Sequence, residues 1–558
     1  MSSIWLRWNE SNNVPTDTIS SSLRLEQVLV SITVPQIIGL IIGSVFFLLI
    51  LSPEKPTISG APVHGRRWRW EPTLWLQSRF TFGSREIVAG GYAKFVQYKD
   101  RPFVAKRYDV NLTVLPHRYL EELRLVPESK LSAATAHAQN SGHKWTGATV
   151  FAESHLHIRA LLHLAAELSK YLEVAKNELD YAWSLHLPSS KDWQEFDIQE
   201  EMRMLFSRLF ASVFVGHPVC RNEEWLSISV GFALDMLTTA FTIRVFPTWL
   251  HPIVARLIPA RYRIGQQVRA ARRILEPLVK EHEDVVRRKS AGQNVTEEDT
   301  LLNWMIDNGV YDENTHYKIA MRQLLLTVVS IHTTTATFTN LLFDLCAHPE
   351  WIPVLREEVE TVTKELGPLG SIPVDGLKQW LRRLEKLDSF IVESQRMSPM
   401  LLLGPQRQVL ESLTLKDGTH IPQGSRICWA GYNHTNDPSV TPGPDIFDPM
   451  RSYVKRHSSP DQMNKHLAGQ THPDNLSFGY GKAACPGRQF AVNEIKMVMV
   501  KFITEYDFKF IDDHDSRPKT IDADEFTFTD PKAKIMASGN DYICKSKGTG
   551  YIWDVNSS

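Results

Sequence analysis

The sequence has few cysteines and almost no net charge, and both shortages restrict what the protein can be. Lysine and arginine (62) nearly balance aspartate and glutamate (63) over 558 residues, so charge gives no reason to expect a nucleic acid partner. The cysteines are widely spaced, which excludes a small disulfide framework and a paired zinc cluster and favours a reducing compartment. They are Cys220, Cys346, Cys428, Cys485 and Cys544.

Long uncharged runs are also scarce, with one exception near the N-terminus. The segment 28–51 has no charged residue and is rich in Ile, Leu, Val and Phe. About two dozen apolar residues are enough to cross a bilayer as a helix. A cleaved signal peptide is the alternative. Because the segment begins late, follows a stretch with acidic residues and lacks a small-residue cleavage site, we expect a retained transmembrane anchor.

The residues after this segment predict its orientation. Lys55, Arg66, Arg67 and Arg69 follow it, and the positive-inside rule places that side in the cytosol. Proline and glycine accompany these basic residues in 52–70, which predicts a stiff linker. The sequence thus predicts a tail over 1–27, an anchor over 28–51, a linker over 52–70 and one large domain over 71–558.

One cysteine stands in a glycine-rich run, FGYGKAACPGR, from Phe478 to Arg488. Gly481 and Gly487 allow the backbone to turn tightly near the sulfur of Cys485, where backbone N–H groups can stabilise a thiolate. Apolar residues at helical spacing follow from Gln489. Taken alone, such a cysteine is most often an ordinary thiol. The whole pattern of Phe, two residues, Gly, three residues, Cys, one residue and Gly resembles the haem-binding loop of the cytochrome P-450 family.

This resemblance implies that Cys485 is the axial thiolate ligand of haem iron, with Phe478 and Gly487 as further cofactor-binding positions. One position departs from the family pattern. Two residues before the cysteine, where the family usually has the Arg or His that contacts a haem propionate, this chain has Ala483. Lys482 stands one residue earlier, and whether it replaces the missing contact is left open.

A second part of the family pattern is a charge network. Glu393 and Arg396 are three residues apart and share a helix face, although alone such a pair is usually a weak surface ion pair. The segment FDPMR, which ends at Arg451, resembles the family segment that supplies a third member. The resemblance implies a buried structural network of Glu393, Arg396 and Arg451.

The stretch 317–347 is apolar nearly all round, which predicts a long helix in the middle of a large domain. Its centre, 329–335, resembles the oxygen-activating segment of the family, which implies that Thr333 and His332 deliver protons. The family usually has Asp or Glu at the position of His332, but imidazole also carries protons near neutral pH. The alternative is a core run of Ser and Thr with a satisfied histidine.

Two arginines are further candidates for the haem site. Arg407 precedes a predicted hairpin with an Asp-Gly turn at Asp417 and Gly418, and Arg159 lies in a predicted helix. By resemblance to the family, both contact haem propionates. The alternative for each is an ordinary surface arginine.

The resemblance covers most of the chain after about residue 60. It implies a mainly α fold with small β-sheets (α+β), with an N-terminal transmembrane helix at the endoplasmic reticulum membrane, a lumenal tail over 1–27 and a cytosolic catalytic domain over 71–558. It implies a monooxygenase with haem b that inserts one oxygen atom from O2 into a lipophilic substrate, using NADPH electrons from cytochrome P-450 reductase.

The segments 101–104 and 114–124 resemble fungal family members that oxidise terpenoids and other secondary metabolites. Two alternative functions stay open. One is a haem-thiolate isomerase or dehydratase that needs no reductase, and the other is a haem-binding sensor without turnover.

Overall fold

The computed structural model describes residues 55–97, 99–187, 190–246, 248–511 and 517–540. As predicted, the fold in these ranges is mainly helical. The α-helices are α1 (Thr73–Gly91), α2 (Tyr119–Leu123), α3 (Ala133–Asn140), α4 (His143–Thr146), α5 (Thr149–Glu153), α6 (Leu156–Ala166), α7 (Leu168–His186), α8 (Ile198–Phe214), α9 (Glu223–Arg244), α10 (His251–Leu257), α11 (Pro259–Ser290), α12 (Leu301–Asn308), α13 (His316–Ala347), α14 (Trp351–Leu366), α15 (Val374–Arg382), α16 (Glu385–Met397), α17 (Gly431–Thr435), α18 (Arg451–Arg456) and α19 (Arg488–Glu505).

The β-strands are short. They are β1 (Phe103–Lys106), β2 (Asn111–Val114), β3 (Leu131–Ser132), β4 (Gln194–Phe196), β5 (Gln406–Val409), β6 (Leu413–Thr414), β7 (His420–Ile421), β8 (Arg426–Cys428), β9 (Tyr506–Phe510), β10 (Ile521–Ala523), β11 (Phe526–Phe528) and β12 (Ile535–Gly539). The largest sheet has the order β1-β2-β8-β5-β3, in which β2 and β8 run parallel and the other pairs antiparallel. A second sheet has the order β4-β12-β9, and β6-β7 and β10-β11 are hairpins.

The predicted central helix is confirmed as α13. It packs against α8, α9 and α11 on different sides, and its side chains Leu324, Ile331, Phe338 and Leu341 are fully buried. Burial on several sides explains why its sequence is apolar nearly all round. The predicted hairpin is also present, since β6 pairs with β7 and Gly418 adopts the positive φ of +85° that this turn requires.

The compact unit of the described chain begins at Lys55. Val63 forms a parallel bridge to Val104, the His64 N–H donates to the Val104 carbonyl at 2.9 Å, and Ile58 is buried. The described part of the predicted linker therefore packs on the domain. The predicted tail 1–27 and anchor 28–51 lie outside the described residues.

Within the described ranges, α9 is the helix that is long and apolar enough to cross a membrane. More than half of its apolar window is buried in the domain, where it packs on α11 and α13. These contacts make α9 a core helix of this domain.

A buried ion network joins a segment near the start of the domain sequence to one near its end. The Arg107 guanidinium lies 2.6 Å from a Glu525 carboxylate oxygen, and both side chains are almost fully buried. Arg107 also pairs with Asp109 at 2.6 Å. Burial opposes ionisation of Glu525, but Arg107 and Arg244 outweigh it and hold its pKa below the ordinary value. The network fastens the loop after β1 to the β10-β11 turn.

Arg107→Met should lower the free energy of unfolding by about 3–5 kcal/mol, because it leaves Glu525 as a buried charge without its closest partner. The matched control is Arg118→Met, since Arg118 pairs with Asp100 and Asp417 on the surface and its loss should cost less than about 1 kcal/mol. Urea unfolding of the full chain, followed by far-ultraviolet circular dichroism, measures both. Equal effects of the two substitutions would contradict the structural role of Arg107.

Candidate active site

The cysteine loop is closed by its own backbone. The Cys485 N–H donates to the Phe478 carbonyl at 2.8 Å, and Gly481 adopts a φ of +70°. A Cβ on Gly481 would lie 2.7 Å from both the carbonyl oxygen and the Cβ of Arg124, so only glycine fits here. The loop ends at α19, where the Arg488 side chain donates to the Cys485 carbonyl at 2.7 Å.

The Cys485 side chain is accessible, yet protein atoms surround its sulfur. Cys485 is exposed, yet burial among protein atoms raises the pKa of its thiol. Backbone hydrogen bonds from Gly487 and Arg488, together with the Arg488 charge, act in the opposite direction and favour the thiolate. The thiol is thus accessible although protein atoms surround it. Backbone donors of this kind suit a thiolate that binds a metal, so the loop fits a haem-iron ligand.

The helix α13, which packs on α19, has one narrow face that is not buried. Val329 is 45% exposed, and Thr333 and Thr337, which follow at one and two turns, are partly exposed. The Thr333 hydroxyl donates to the Val329 carbonyl at 2.7 Å, with the Ser330 carbonyl at 3.2 Å. Its single proton is engaged with the backbone, which leaves its oxygen as an acceptor.

His332 is next to Thr333 and is itself partly exposed. Burial, with a smaller contribution from the Arg203 charge, lowers the pKa of His332 to about 4. The imidazole is hydrogen-bonded to the backbone of Val230 on α9. Its Nε2 is buried and has no hydrogen-bond partner among the described residues. His332 is therefore neutral at pH 7. In the predicted proton delivery it would act as a neutral hydrogen-bonding group and not as a charged acid.

Arg407 is a buried cation beside the cysteine loop. It donates to the Gln406 carbonyl at 2.8 Å and to the Tyr480 carbonyl at 3.3 Å. Burial lowers its pKa to about 10, only partly opposed by the charge of Glu128, and no carboxylate forms an ion pair with it within the described ranges. A buried charge without a counterion is costly. This guanidinium therefore fits a bound carboxylate such as a haem propionate.

A histidine that the sequence analysis did not single out accompanies Arg407. His137 on α3 is accessible, yet burial, together with the charges of Arg407 and Arg426, lowers its pKa to about 4. Like the Cys485 thiol, its imidazole is accessible although protein atoms surround it. Its sequence context, an alanine-rich helix, gives no signal of a site, because only the packing of α3 on β5 brings it to Arg407.

The other predicted cofactor positions lie in different surroundings. The Arg159 guanidinium lies 3.6 Å from Glu313 and donates to the Asn308 carbonyl at 3.3 Å, so it already has partners within the protein.

The Lys482 side chain is exposed and forms no ion pair within the described part of the chain. Phe478 packs against the core, and a Cβ on Gly487 would meet only Leu161, at 3.9 Å. Their haem contacts stay predictions.

The structure brings the three members of the predicted charge network together. Arg396 forms two hydrogen bonds to the Glu393 carboxylate at 2.6 and 2.9 Å, and Arg451 adds a third at 3.2 Å. The Asp448 N–H also donates to this carboxylate at 2.9 Å, and Arg396 donates to the Pro444 carbonyl at 2.7 Å. Full pairing makes a buried network of this kind tolerable, so its geometry suits a structural role.

Comparisons with known proteins point to one family. The Cytochrome P-450 family model matches residues 134–537. The cytochrome P-450 monooxygenase ATR4 of Stachybotrys chlorohalonatus is 41% identical over 86% of this chain and 90% of its own length. The ent-kaurene oxidase of Fusarium fujikuroi is 35% identical over 85% and 87% of the two chains.

A solved structure shows the same fold. Retinoic acid-bound cyanobacterial CYP120A1 superposes with a TM-score of 0.59 and 16% identity, covering 87% of this chain and 100% of its own. The chain therefore belongs to the cytochrome P-450 family. It is a haem-dependent monooxygenase, and the predicted fold class and enzyme class are confirmed.

Arg407→Gln should increase haem dissociation by about 10- to 100-fold, the equivalent of losing one hydrogen bond to a charged group. The matched control is Arg159→Gln, which should change the rate by less than about twofold because Glu313 already holds that guanidinium. Transfer of haem from the full-length protein to apomyoglobin measures both rates without reference to catalysis. A larger effect of Arg159→Gln would restore Arg159 as the propionate contact and contradict the assignment to Arg407.

Proposed function

We propose that this monooxygenase oxidises a terpenoid or a related lipophilic secondary metabolite, with electrons from NADPH delivered by cytochrome P-450 reductase at the endoplasmic reticulum membrane. The observation that carries the proposal is the identity of 35% over 85% of the chain with a protein named ent-kaurene oxidase. That name is consistent with the apolar surroundings of the accessible face of α13.

These surroundings are formed by three parts of the chain. The Thr337 hydroxyl lies 3.8 Å from the Met400 sulfur, and the Met400 carbonyl accepts a hydrogen bond from Thr527 at 3.0 Å. Phe526, next to Thr527 on β11, packs edge-to-face on Phe241 of α9 with ring centroids 5.7 Å apart. Met400 and the two aromatic rings offer apolar contacts to a lipophilic substrate, with the Arg244 guanidinium lying over both rings.

The residues of the chain hold the cofactor and the proton path. Haem, when bound, supplies the iron that activates O2 for insertion of one oxygen atom into a C–H bond. Cys485 Sγ would ligate the haem iron as a thiolate, a form that the N–H groups of Gly487 and Arg488 favour. Arg407 would bind a propionate carboxylate, and His137 would offer a second polar contact beside it.

Thr333 on α13 would hold the proton path. Because its hydroxyl proton is donated to the Val329 carbonyl, Oγ1 accepts a hydrogen bond from a water molecule and orients it. His332 is neutral and hydrogen-bonded to the backbone of Val230, so it would support this path by its position next to Thr333 on α13 rather than as a charged acid.

The partners follow from the proposed chemistry. A monooxygenase consumes two electrons for each oxygen atom inserted, so the enzyme needs a reductase docked on the cytosolic side. The uncharged segment 28–51 followed by basic residues supports a single membrane anchor with a cytosolic domain. Neither assignment depends on the identity of the substrate.

The proposed function is tested with the full chain co-expressed with a cytochrome P-450 reductase in microsomes. Given diterpenes, sesquiterpenes and indole-derived terpenoids with 18O2, the microsomes should form a product that gains one labelled oxygen, dependent on NADPH. Cys485→Ala is the control and should form none. A product formed without NADPH would favour the isomerase or dehydratase alternative. Failure of every terpenoid, with an intact thiolate-type carbon monoxide spectrum, would overturn the substrate class.

Thr333→Ala should uncouple NADPH consumption from product formation, because the water that Oγ1 orients loses its acceptor. We expect the fraction of NADPH recovered as product to fall by roughly 100-fold, the lower end of the range for the contribution of one positioned group in proton transfer. The matched control is Thr361→Ala on α14, whose exposed hydroxyl makes the same kind of backbone bond, to the Glu357 carbonyl at 2.8 Å. Unchanged coupling in Thr333→Ala would remove this residue from the proton path.

A further inference from the structure

Two histidines meet at one edge of the largest sheet. β2 and β8 pair in parallel, with Val114 opposite Cys428, so the chain segments that follow them leave the sheet at the same edge. His117 follows β2, and His434 lies in α17, the short helix after β8. Their imidazole rings stack with centroids 3.6 Å apart and planes within 9°.

A carboxylate from a third part of the chain completes the group. Asp474 lies on the segment that leads into the Cys485 loop, and its Oδ1 is 2.8 Å from His434 Nε2 and 3.9 Å from His117 Nε2. One ligand atom from each of the three residues lies within 4.8 Å of the other two. Two imidazoles and a carboxylate are a ligand set that zinc and similar cations prefer.

One of these ligand atoms has no other engagement. The Nε2 atom of His117 is buried and forms no hydrogen bond within the described residues. A buried polar atom without a partner is costly and needs an explanation. A cation bound by this atom and Asp474, once the two rings have separated, would satisfy it.

The structure has a second group of possible ligands, formed by Glu178, His217 and Cys220. Two of these residues already have charged or hydrogen-bonding partners. Glu178 is already held by the Arg221 guanidinium at 2.9 Å, and Glu298 holds His217 at 3.0 Å. Burial also raises the pKa of the Cys220 thiol to about 12, which disfavours the thiolate that binds metal. This group serves as an internal comparison.

We propose that His117, His434 and Asp474 form a binding site for a divalent transition-metal cation of the zinc class. An imidazole binds a metal in the plane of its ring, so binding opens the stacked pair while it gains two metal–nitrogen bonds. The bound cation would fasten the segment that enters the Cys485 loop to the edge of the sheet at β2 and β8. The site is separate from the haem iron and does not depend on the substrate.

The test is zinc binding to the full-length, haem-loaded protein after chelator treatment and dialysis. We expect a single zinc ion per chain, counted by atomic emission after gel filtration in buffer with a weak competing chelator. His117→Gln, His434→Gln and Asp474→Asn should each weaken binding by at least about tenfold. The carbon monoxide spectrum confirms in each variant that the haem domain is folded.

Two control substitutions test the location of the site. His457→Gln removes a surface histidine bonded to a carboxylate, Glu385, at 2.8 Å, and His217→Gln alters the comparison group. Both should bind zinc as the unchanged protein does. The proposal would be overturned if the unchanged protein bound no stoichiometric zinc. It would also be overturned if all three ligand variants bound zinc as tightly as the unchanged protein does. Loss of zinc in His217→Gln alone would place the site at the comparison group and overturn it as well.

Discussion

One sulfur atom must be reachable from inside the protein and yet be kept away from bulk water, and much of the structure serves this requirement. The loop that carries Cys485 is closed by a hydrogen bond between its own backbone groups and can pass Arg124 only because Gly481 has no side chain. Burial alone would protonate the thiol, so the backbone donors and Arg488 that oppose burial are part of the same requirement. A loop with these contacts is rigid before any cofactor arrives, which reduces the conformational entropy lost on binding.

The buried charges fall into two groups according to whether the protein supplies their counterions. Glu393, Arg396 and Arg451 satisfy one another and the surrounding carbonyl groups, so their contribution is to hold the fold. Arg407 is equally buried, but its protein partners are carbonyl oxygens that leave its charge uncompensated. A ligand carboxylate would supply the charge that Arg407 lacks.

Sequence patterns predicted the features that depend on local spacing. The central helix was expected over 317–347 and extends from His316 to Ala347, and the cysteine loop and the Glu393–Arg396 pair follow fixed short spacings. Features set by packing between distant segments were not accessible in this way. His137 reaches Arg407 only through the packing of α3 on β5, Arg159 meets Glu313 across the N-terminal end of α13, and the low pKa of His332 arises from burial beneath α9. The resemblance to the family gave the role of each position but not the neighbours that this chain places around it.

The parallel pairing of β2 and β8 connects these observations. β8 also pairs with β5, where Ile427 stands opposite Arg407, so one sheet positions the cation next to the cysteine loop and, at its edge, the histidines His117 and His434. Asp474, on the segment that enters the same loop, is bonded to that edge. The loop is thus held at its entrance by the Asp474 contact, in its middle by Arg407 at Tyr480, and at its exit by α19. A loop fixed at three points can keep its sulfur in one position.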